Sequence, residues 1–524
     1  MRNLRPPSMT TTDVEGRQNG TKFNPVREII FVFVICMAQF MTQAGIGCDM
    51  SPLEIIGDSF NIKDSGILSW FIAGYSLTSG TFILFFGRCG DVFGYHKLFI
   101  IGFAWYSLWS IVAGVSVYSN HVLFIFARTL QGIGPSMLLP NALAILGSTY
   151  GPGAKKNLIF ALFGATAPNG SIIGSVFAAI FSELAWWPWL FWVCAIVCAI
   201  LAVMGWFTIP RIHHEREKQD LSFVEWIHEL DIIGACLGVG GLALINLAWN
   251  QAPISGWQTP YVYVVLIIGA LLLSSFIAWE VYIAQKPLIP FQALTLDVSF
   301  VLGCMACGWA SFGIWIYYLW LFMLRIRGIP PLLASAHWVP PGVSGLIAAF
   351  TTGYLMSRLK PGWIMLMAMI AFTLGILFVA LNPVHQTYWA LTFVSLIVMP
   401  WGMDMSFPAS TVLLSNSVER KYQGIAASLV TTVVNYSISI GLGFAGTVEV
   451  HVNNGGKTFN DTLKGYRGAM YLGIGVAGLG IVISVLYLVK STVQQLTDGK
   501  QNQEEEYEEE EKEPISGSTS PTSW

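Results

Sequence analysis

Residues 232–279 read IIGACLGVGGLALINLAWNQAPISGWQTPYVYVVLIIGALLLSSFIAW and hold no Asp, Glu, Lys or Arg. A helix needs about 20 mostly apolar residues to cross a bilayer, so this run is too long for one crossing. The segment APISGW (252–257) breaks it, because Pro and Gly interrupt helices most strongly. Two spanning helices joined by a short turn follow. Counting outward in the same way gives single runs at 29–48, 65–87, 98–120, 122–147 (with Arg128 inside), 157–182, 184–210, 298–324 and 329–357. Residues 361–403 are again uncharged and split at Asn382-Pro383, the second helix continuing past Asp404. Runs 423–448 and 468–489 close the set. The expectation is an all-α membrane protein with fourteen spans.

Composition excludes a soluble alternative. Of 524 residues, 11% are charged and 54% apolar, against roughly 25% charged in soluble domains. Mean hydropathy is +0.61, and so few charges leave too little polar surface to cover a soluble body of this size. The 20 Trp and 33 Phe fit aromatic belts at two bilayer faces. A net charge of −3 implies no nucleic-acid partner. The eight Cys lie mostly inside apolar runs, as packing residues do. The first apolar run, Ile29 to Cys48, is too long for a cleaved signal and reads as a signal anchor.

Loop charges orient the chain. With the N-terminus inside, about 20 Lys/Arg fall on the inner face and about 6 on the outer, the positive-inside bias. Both termini are then cytoplasmic. Residues 504–513, EEEYEEEEKE, cannot bury anything, so 491–524 is expected to be a disordered acidic tail. No soluble segment is long enough for a nucleotide-binding domain. Gly456-Lys457-Thr458 lacks the Gly that a P-loop carries within 451–454. Cys304-x-x-Cys307 has no second ligand pair, and packing explains it better than metal. No hydrolase elbow or zinc-protease pair occurs, so neither an enzyme nor a cofactor is expected. Asn460-Asp461-Thr462 is an outward-facing sequon, making Asn460 a glycosylation candidate.

Three further stretches carry a pattern. After span 2 comes GRCGDVFGYHK (87–97), in which Gly87 and Gly94 allow a tight turn and Asp91 can cap a helix or pair with cations such as Lys97. Span 4 contains RTLQGIG (128–134), with Arg128 and Gln131 in a membrane helix. A charge there costs about 2.5–3.5 kcal/mol on insertion scales, so it has a partner or caps carbonyls of a neighbouring helix. Span 5 reads GATAPNGSIIG (164–174), where Pro168 bends the helix and Gly170 and Gly174 permit close helix approach.

Together these stretches resemble the motifs of the major facilitator superfamily, and the span-5 pattern resembles that of its antiporters. Fourteen spans place the chain beside the drug:proton antiporter branch with two extra central helices. Its relatives include fungal aminotriazole- or boron-exporter-like and ammonium-transporter-like proteins. DIIG (231–234), Gly256-Trp257 and PLIP (287–290) look like landmarks of that branch. GYLMSRLKP (353–361) looks like a degenerate copy of the 87–97 loop, as two related halves require. The resemblance implies a six-helix half at 28–210, a cytoplasmic linker at 211–230, two inserted spans within 231–290 and a second half at 291–490, after a cytoplasmic tail at 1–27. It also implies that Asp91 serves the cytoplasmic gate. In span 1 the family usually carries an Asp some nine residues before a Pro, and Gln43 stands there if Pro52 is that Pro. Glutamine carries no titrating proton.

Other ionisable groups inside the membrane are functional candidates by default. Asp404, in WGMDMSFP (401–408), sits between a Gly and a Pro that bend the helix around a cavity. Moving between dry and wet surroundings changes a carboxyl's hold on a proton, and a helix-cap or interhelix hydrogen bond is the other reading. His337 precedes Pro340-Pro341 and has an ordinary pKa near neutrality, though hydrogen-bonded packing suits it better. Asp49 reads as a mouth charge and Glu280 as an interface residue.

The function expected is secondary active transport: efflux of small toxic solutes or drugs by a monomer, powered by a proton gradient. The bilayer is the only other partner, and the plasma membrane suits it better than the vacuolar one. A low-affinity facilitator or importer of a small polar solute such as ammonium is the second reading. A membrane sensor with the acidic tail as its arm is the third.

Overall fold

The computed structural model describes residues 24–151, 153–210, 223–289, 295–417 and 423–512, and among them every regular element is a helix. The first bundle comprises α1 (Pro25–Met50), α2 (Leu53–Ser59), α3 (Ser65–Thr81), α4 (Ile83–Phe93), α5 (Tyr95–Val115), α6 (His121–Gln131), α7 (Ile133–Thr149), α8 (Ala154–Leu184) and α9 (Pro188–Thr208). A short α10 (Phe223–Leu230) leads to the inserted pair, α11 (Ile232–Ser255) and α12 (Pro260–Tyr282). The second bundle holds α13 (Leu296–Leu321), which ends in a π turn at Phe322–Ile326, then α14 (Pro331–His337), α15 (Pro340–Met356), α16 (Pro361–Ala380), α17 (Leu391–Ser417), α18 (Gln423–Val452) and α19 (Phe459–Lys512). The end carrying Asn24 and Thr208 is called the near end, and the end where α1 finishes and α3 starts the far end.

Starts and stops follow local chemistry. Asn24 accepts the Val26 N–H at 3.2 Å with Pro25 at the first helical position, and Asp64 accepts the Gly66 N–H at 2.7 Å. These side chains satisfy orphan donors of the first turn. Pro also opens α9, α12, α14, α15 and α16, where its missing N–H costs nothing. Gly256, at φ +82°, ends α11 in the turn expected between the inserted spans.

Among the described residues, twelve helical segments, with α6–α7 and α14–α15 each taken as one, are long and apolar enough to cross a membrane, or thirteen with α3 and α4, which bend by 43° around Phe82, counted as one. The chain is therefore an integral, multi-pass membrane protein. The fourteenth expected span, α17, has 27 residues but carries Asp404, Pro400 and Pro408 and lies outside that set. Two single runs are interrupted: 329–357 breaks at Pro340 into α14 and α15, and 122–147 breaks at Gly132 into α6 and α7. Beyond 491, where disorder was expected, α19 runs on to Lys512. The chain enters this segment already helical, which removes the nucleation cost, and Gln and Glu are good helix formers. Residues 1–23, most of the linker (211–222), and 513–524 lie outside the described residues.

Close packing follows the glycines. In the first bundle α1 lies along α8, with Gly170 against the Phe40 backbone and a Cβ on Gly174 falling 2.7 Å from the Ala44 carbonyl oxygen. In the second, α13 lies along α18 in the same manner, with Gly313 against Ile438 and Gly441 against Ala310, at 2.8 and 2.9 Å to the carbonyl oxygens. The first and fifth spans of each half thus meet through small residues. Between the bundles, α3 packs on α18, and α11 lies along both.

Candidate functional site

Arg128 sits in the last turn of α6, fully buried. Its Nη2 donates to the Gly45 carbonyl at 2.6 Å and pairs with the Asp49 carboxylate, while Nη1 donates to Gln131 Oε1. Gln131 passes the network on, its Nε2 donating to Ser110 Oγ at 2.6 Å. The guanidinium carbon lies 4.6 Å from the Tyr75 ring centroid, cation–π range. Both partnerships considered for Arg128, carbonyl and anion, are present. Asp49 is not a mouth charge: the last turn of α1 turns it into the bundle, where it is 0% exposed. Breaking such a pair costs about 3–5 kcal/mol, because it strands a charge away from water.

Asp404 takes the middle of α17. It is half-buried, with no hydrogen bond or ion pair among the described residues. Its Oδ2 lies 2.6 Å from where a Cβ on Gly345 would stand, so it faces α15 and not lipid. Gly342, one turn farther along α15 toward the far end, touches Ile172 of α8 across the halves. Stepping three residues toward the near end, about 4.5 Å at 1.5 Å per residue, reaches Gly345 on one side and Asn169 on the other. Asn169 is exposed and bonds only its own helix, at the Ala165 carbonyl, 2.8 Å away. Asp404 and Asn169 therefore share a depth on the near side of the Ile172–Gly342 contact. Gln43, on α1, is half-buried and makes no hydrogen bond among the described residues. His337 stands apart near the far end, stacked on Tyr388 at 3.9 Å.

The far end is clasped by polar bonds between the halves. Glu54 of α2 pairs with Arg325 at 2.9 Å. Ser65 Oγ–H donates to Glu449 Oε1 at 2.7 Å and Tyr317 O–H donates to the Ser65 carbonyl, while within the second half Tyr318 O–H donates to Glu449 Oε2 at 2.7 Å. Ser51 and Ser335 hydroxyls meet at 3.0 Å, and Ser335 donates to the Ser175 carbonyl at 3.1 Å. Glu54 lies between spans; burial holds its carboxyl above the ordinary range, against the pull of Arg325. Glu54, Arg325 and Glu449 escaped the sequence reading because each lies at the edge of an apolar run and looks like a loop charge. Their distance from one another in sequence hides the pairing.

Gly94, at φ +99°, makes the turn between α4 and α5. Asp91 is exposed and accepts the Tyr95 O–H at 2.6 Å; no cation pairs with it among the described residues. Lys97 is exposed, and Gly87 faces Pro140 at 3.6 Å from its would-be Cβ. Arg88 Nε donates to the Glu229 carbonyl at 3.1 Å, tying this loop to α10. Pro168 lies inside α8. Asn460 is exposed, in the first turn of α19 and not in the loop before it. The Gly456 N–H donates to Asp461 Oδ2 at 2.8 Å, so a carboxylate fills the place a phosphate would need. Cys304 Sγ and Ser484 Oγ share a hydrogen bond at 3.2 Å, and no metal-binding cluster occurs among the described residues.

Comparison with known proteins agrees with this geometry. The sequence matches the Major Facilitator Superfamily over residues 32–442 and 300–521. It is 56% identical over 460 residues to a low affinity ammonium transporter of Saccharomyces cerevisiae, covering 88% of each chain. It is 46% identical over 464 residues to the efflux pump terJ of Aspergillus terreus, again covering 88% of each. Among solved structures, a peptide transporter bound to sulfate superposes with a TM-score of 0.61 at 14% identity, over 93% of this chain and 98% of that one. At that identity the likeness shows the fold alone.

Proposed function

Because the chain belongs to the Major Facilitator Superfamily, in a branch with drug:proton antiporter-like members, we propose that it exports small toxic solutes by proton-coupled alternating access. The single observation carrying this reading is Asp404: a half-buried carboxyl with no partner among the described residues, at mid-depth between two helical halves that are clasped at the far end. A carboxyl so placed binds a proton or a cationic solute, and either exchange neutralises it. With fourteen spans, α17 included, and both termini cytoplasmic, the far end is extracellular and Asn169 faces the cytoplasm. Export then starts with the outer end closed. The clasp opens as the inner end shuts, and Asp404 exchanges solute for proton. The protein works as a monomer in the plasma membrane, without a cofactor. Gln43 stands where the resemblance implies a carboxyl and carries no titrating proton, which leaves Asp404 as the carrier.

Inverted plasma-membrane vesicles test this. Energised vesicles take up a toxic substrate to which a deletion strain is sensitive, and a protonophore abolishes the uptake. Uptake unchanged by the protonophore removes the coupling. A second reading, passage of ammonium, is supported by the 56% identity to the low affinity ammonium transporter. It predicts methylammonium uptake by intact cells that saturates at high concentration and fails in the deletion strain.

A further inference from the structure

The inserted pair of helices carries a cluster that exchange between the halves leaves unused. Asp231 caps α11 from left-handed backbone, φ +47°, its Oδ1 accepting the Gly234 N–H at 3.2 Å and the Trp279 Nε1–H at 2.8 Å. Glu280, near the end of α12, accepts the Ile289 N–H on Oε2 at 3.3 Å and meets the Asp231 carboxyl. The two residues are only 4% and 5% exposed. Asp231 Oδ2 and Glu280 Oε1 have no donor among the described residues. The cations beside them are engaged elsewhere: Lys286 pairs with Glu229, and Arg88 donates to the Glu229 carbonyl. Two buried carboxyls in contact, each with an oxygen lacking a donor, call for a positive charge or a proton between them.

Beside this pair lies an apolar cavity of about 270 Å³ between α3–α4, the inserted helices and α18, walled by Phe85, Phe276, Leu429 and Tyr436 among others. Gly234 and Ile289 line it too, and these are the residues whose N–H groups the two carboxyls accept. The charged cluster thus stands directly behind the cavity's rim. A Cβ on Gly234 would run into Asp231 Oδ2, so the carboxyl lies close behind the wall that Gly234 makes without itself lining the cavity.

We propose that this is a binding site for a lipophilic amine, its ammonium held between Asp231 Oδ2 and Glu280 Oε1 and its tail in the cavity. An ammonium brings three N–H donors to the two oxygens that lack them, and the tail exchanges water or lipid for a fitted apolar wall. A phosphatidylethanolamine headgroup fits less well, because its phosphate would stand beside the carboxyls. The site depends neither on the direction of transport nor on Asp404.

The test is equilibrium binding of radiolabelled decylamine to the full chain in phosphatidylcholine nanodiscs, with decanol and phosphatidylethanolamine as competitors. One saturable site that neither competitor empties is expected. Asp231→Asn and Glu280→Gln should each weaken it at least tenfold. Asparagine caps a helix as well as aspartate does, and glutamine still accepts the Ile289 N–H, so both variants keep the fold. Val239→Trp should also abolish binding by filling the cavity, and an unchanged melting temperature checks its fold. Competition by decanol on equal terms, or decylamine binding unaltered in both carboxyl variants, overturns the proposal. So does displacement by phosphatidylethanolamine, or a pair that takes up a proton and binds no amine.

Discussion

Removing the anion from the buried ion pair gives the sharpest stability prediction. In Asp49→Asn the Arg128 guanidinium keeps the Gly45 carbonyl, Gln131 and the Tyr75 face, but loses its counter-charge at a site with no exposure. Truncating one member of a buried pair costs about 3–5 kcal/mol. The Tyr75 ring faces Arg128 in parent and variant alike, so that contact leaves the cost unchanged. Arg128→Met strands the opposite charge, since Asp49 Oδ1 already lacks a donor. Replacing both residues, Asp49→Leu with Arg128→Met, strands nothing, and such exchanges are often neutral or stabilising. The assay is the fraction of purified protein that stays monodisperse after heating in detergent. Each single variant should lose this resistance at a clearly lower temperature, and the double variant should recover most of it. A double variant as damaged as both singles together would refute the reasoning, since the charges would then act independently.

Other outcomes follow from the same contacts. Gly174→Ala drives a Cβ to 2.7 Å from the Ala44 carbonyl oxygen and should lower expression and melting temperature, whereas Gly164→Ala, with open space around it, should be neutral or gain up to about 1 kcal/mol of helix propensity. At the far end, Glu54 binds a proton more tightly in the closed clasp than it would in water, since burial raises its pKa. Closure contributed by this group is therefore complete in acid and lost as pH rises through the closed-state pKa. Spin-label distances across the clasp should lengthen with rising external pH, and Glu54→Gln should remove that dependence. His337→Ala loses one stacked ring contact and should leave transport rates within twofold of the parent, as measured in the vesicle assay.

The span pattern was legible because lipid imposes it locally: a crossing helix cannot hide a charge, so the gaps between Asp, Glu, Lys and Arg mark the helices one by one. The same rule blurred α17, whose Asp404 faces Gly345 and not lipid. Gly170 and Gly174 lie against the α1 backbone at Phe40 and Ala44, where the spacing of small residues is visible in the sequence. What sequence could not supply was partnership. Asp49 and Glu280 looked like surface charges because each lies near the end of an apolar run, yet tertiary contacts bury both. Asn169, not singled out in the sequence, gains meaning from its depth beside the Ile172–Gly342 contact, which joins helices far apart in the chain.

The claim on which the rest depends is that the ground between Asn169 and Asp404 is reached from one face at a time. On a background without native cysteines, Asn169→Cys should react with a membrane-impermeant maleimide from the cytoplasmic face alone. Adding Arg325→Gln, which breaks the far-end clasp, should bring reaction from the outside and slow it from the inside. Equal labelling from both faces, or external labelling indifferent to Arg325, would contradict alternating access around this site.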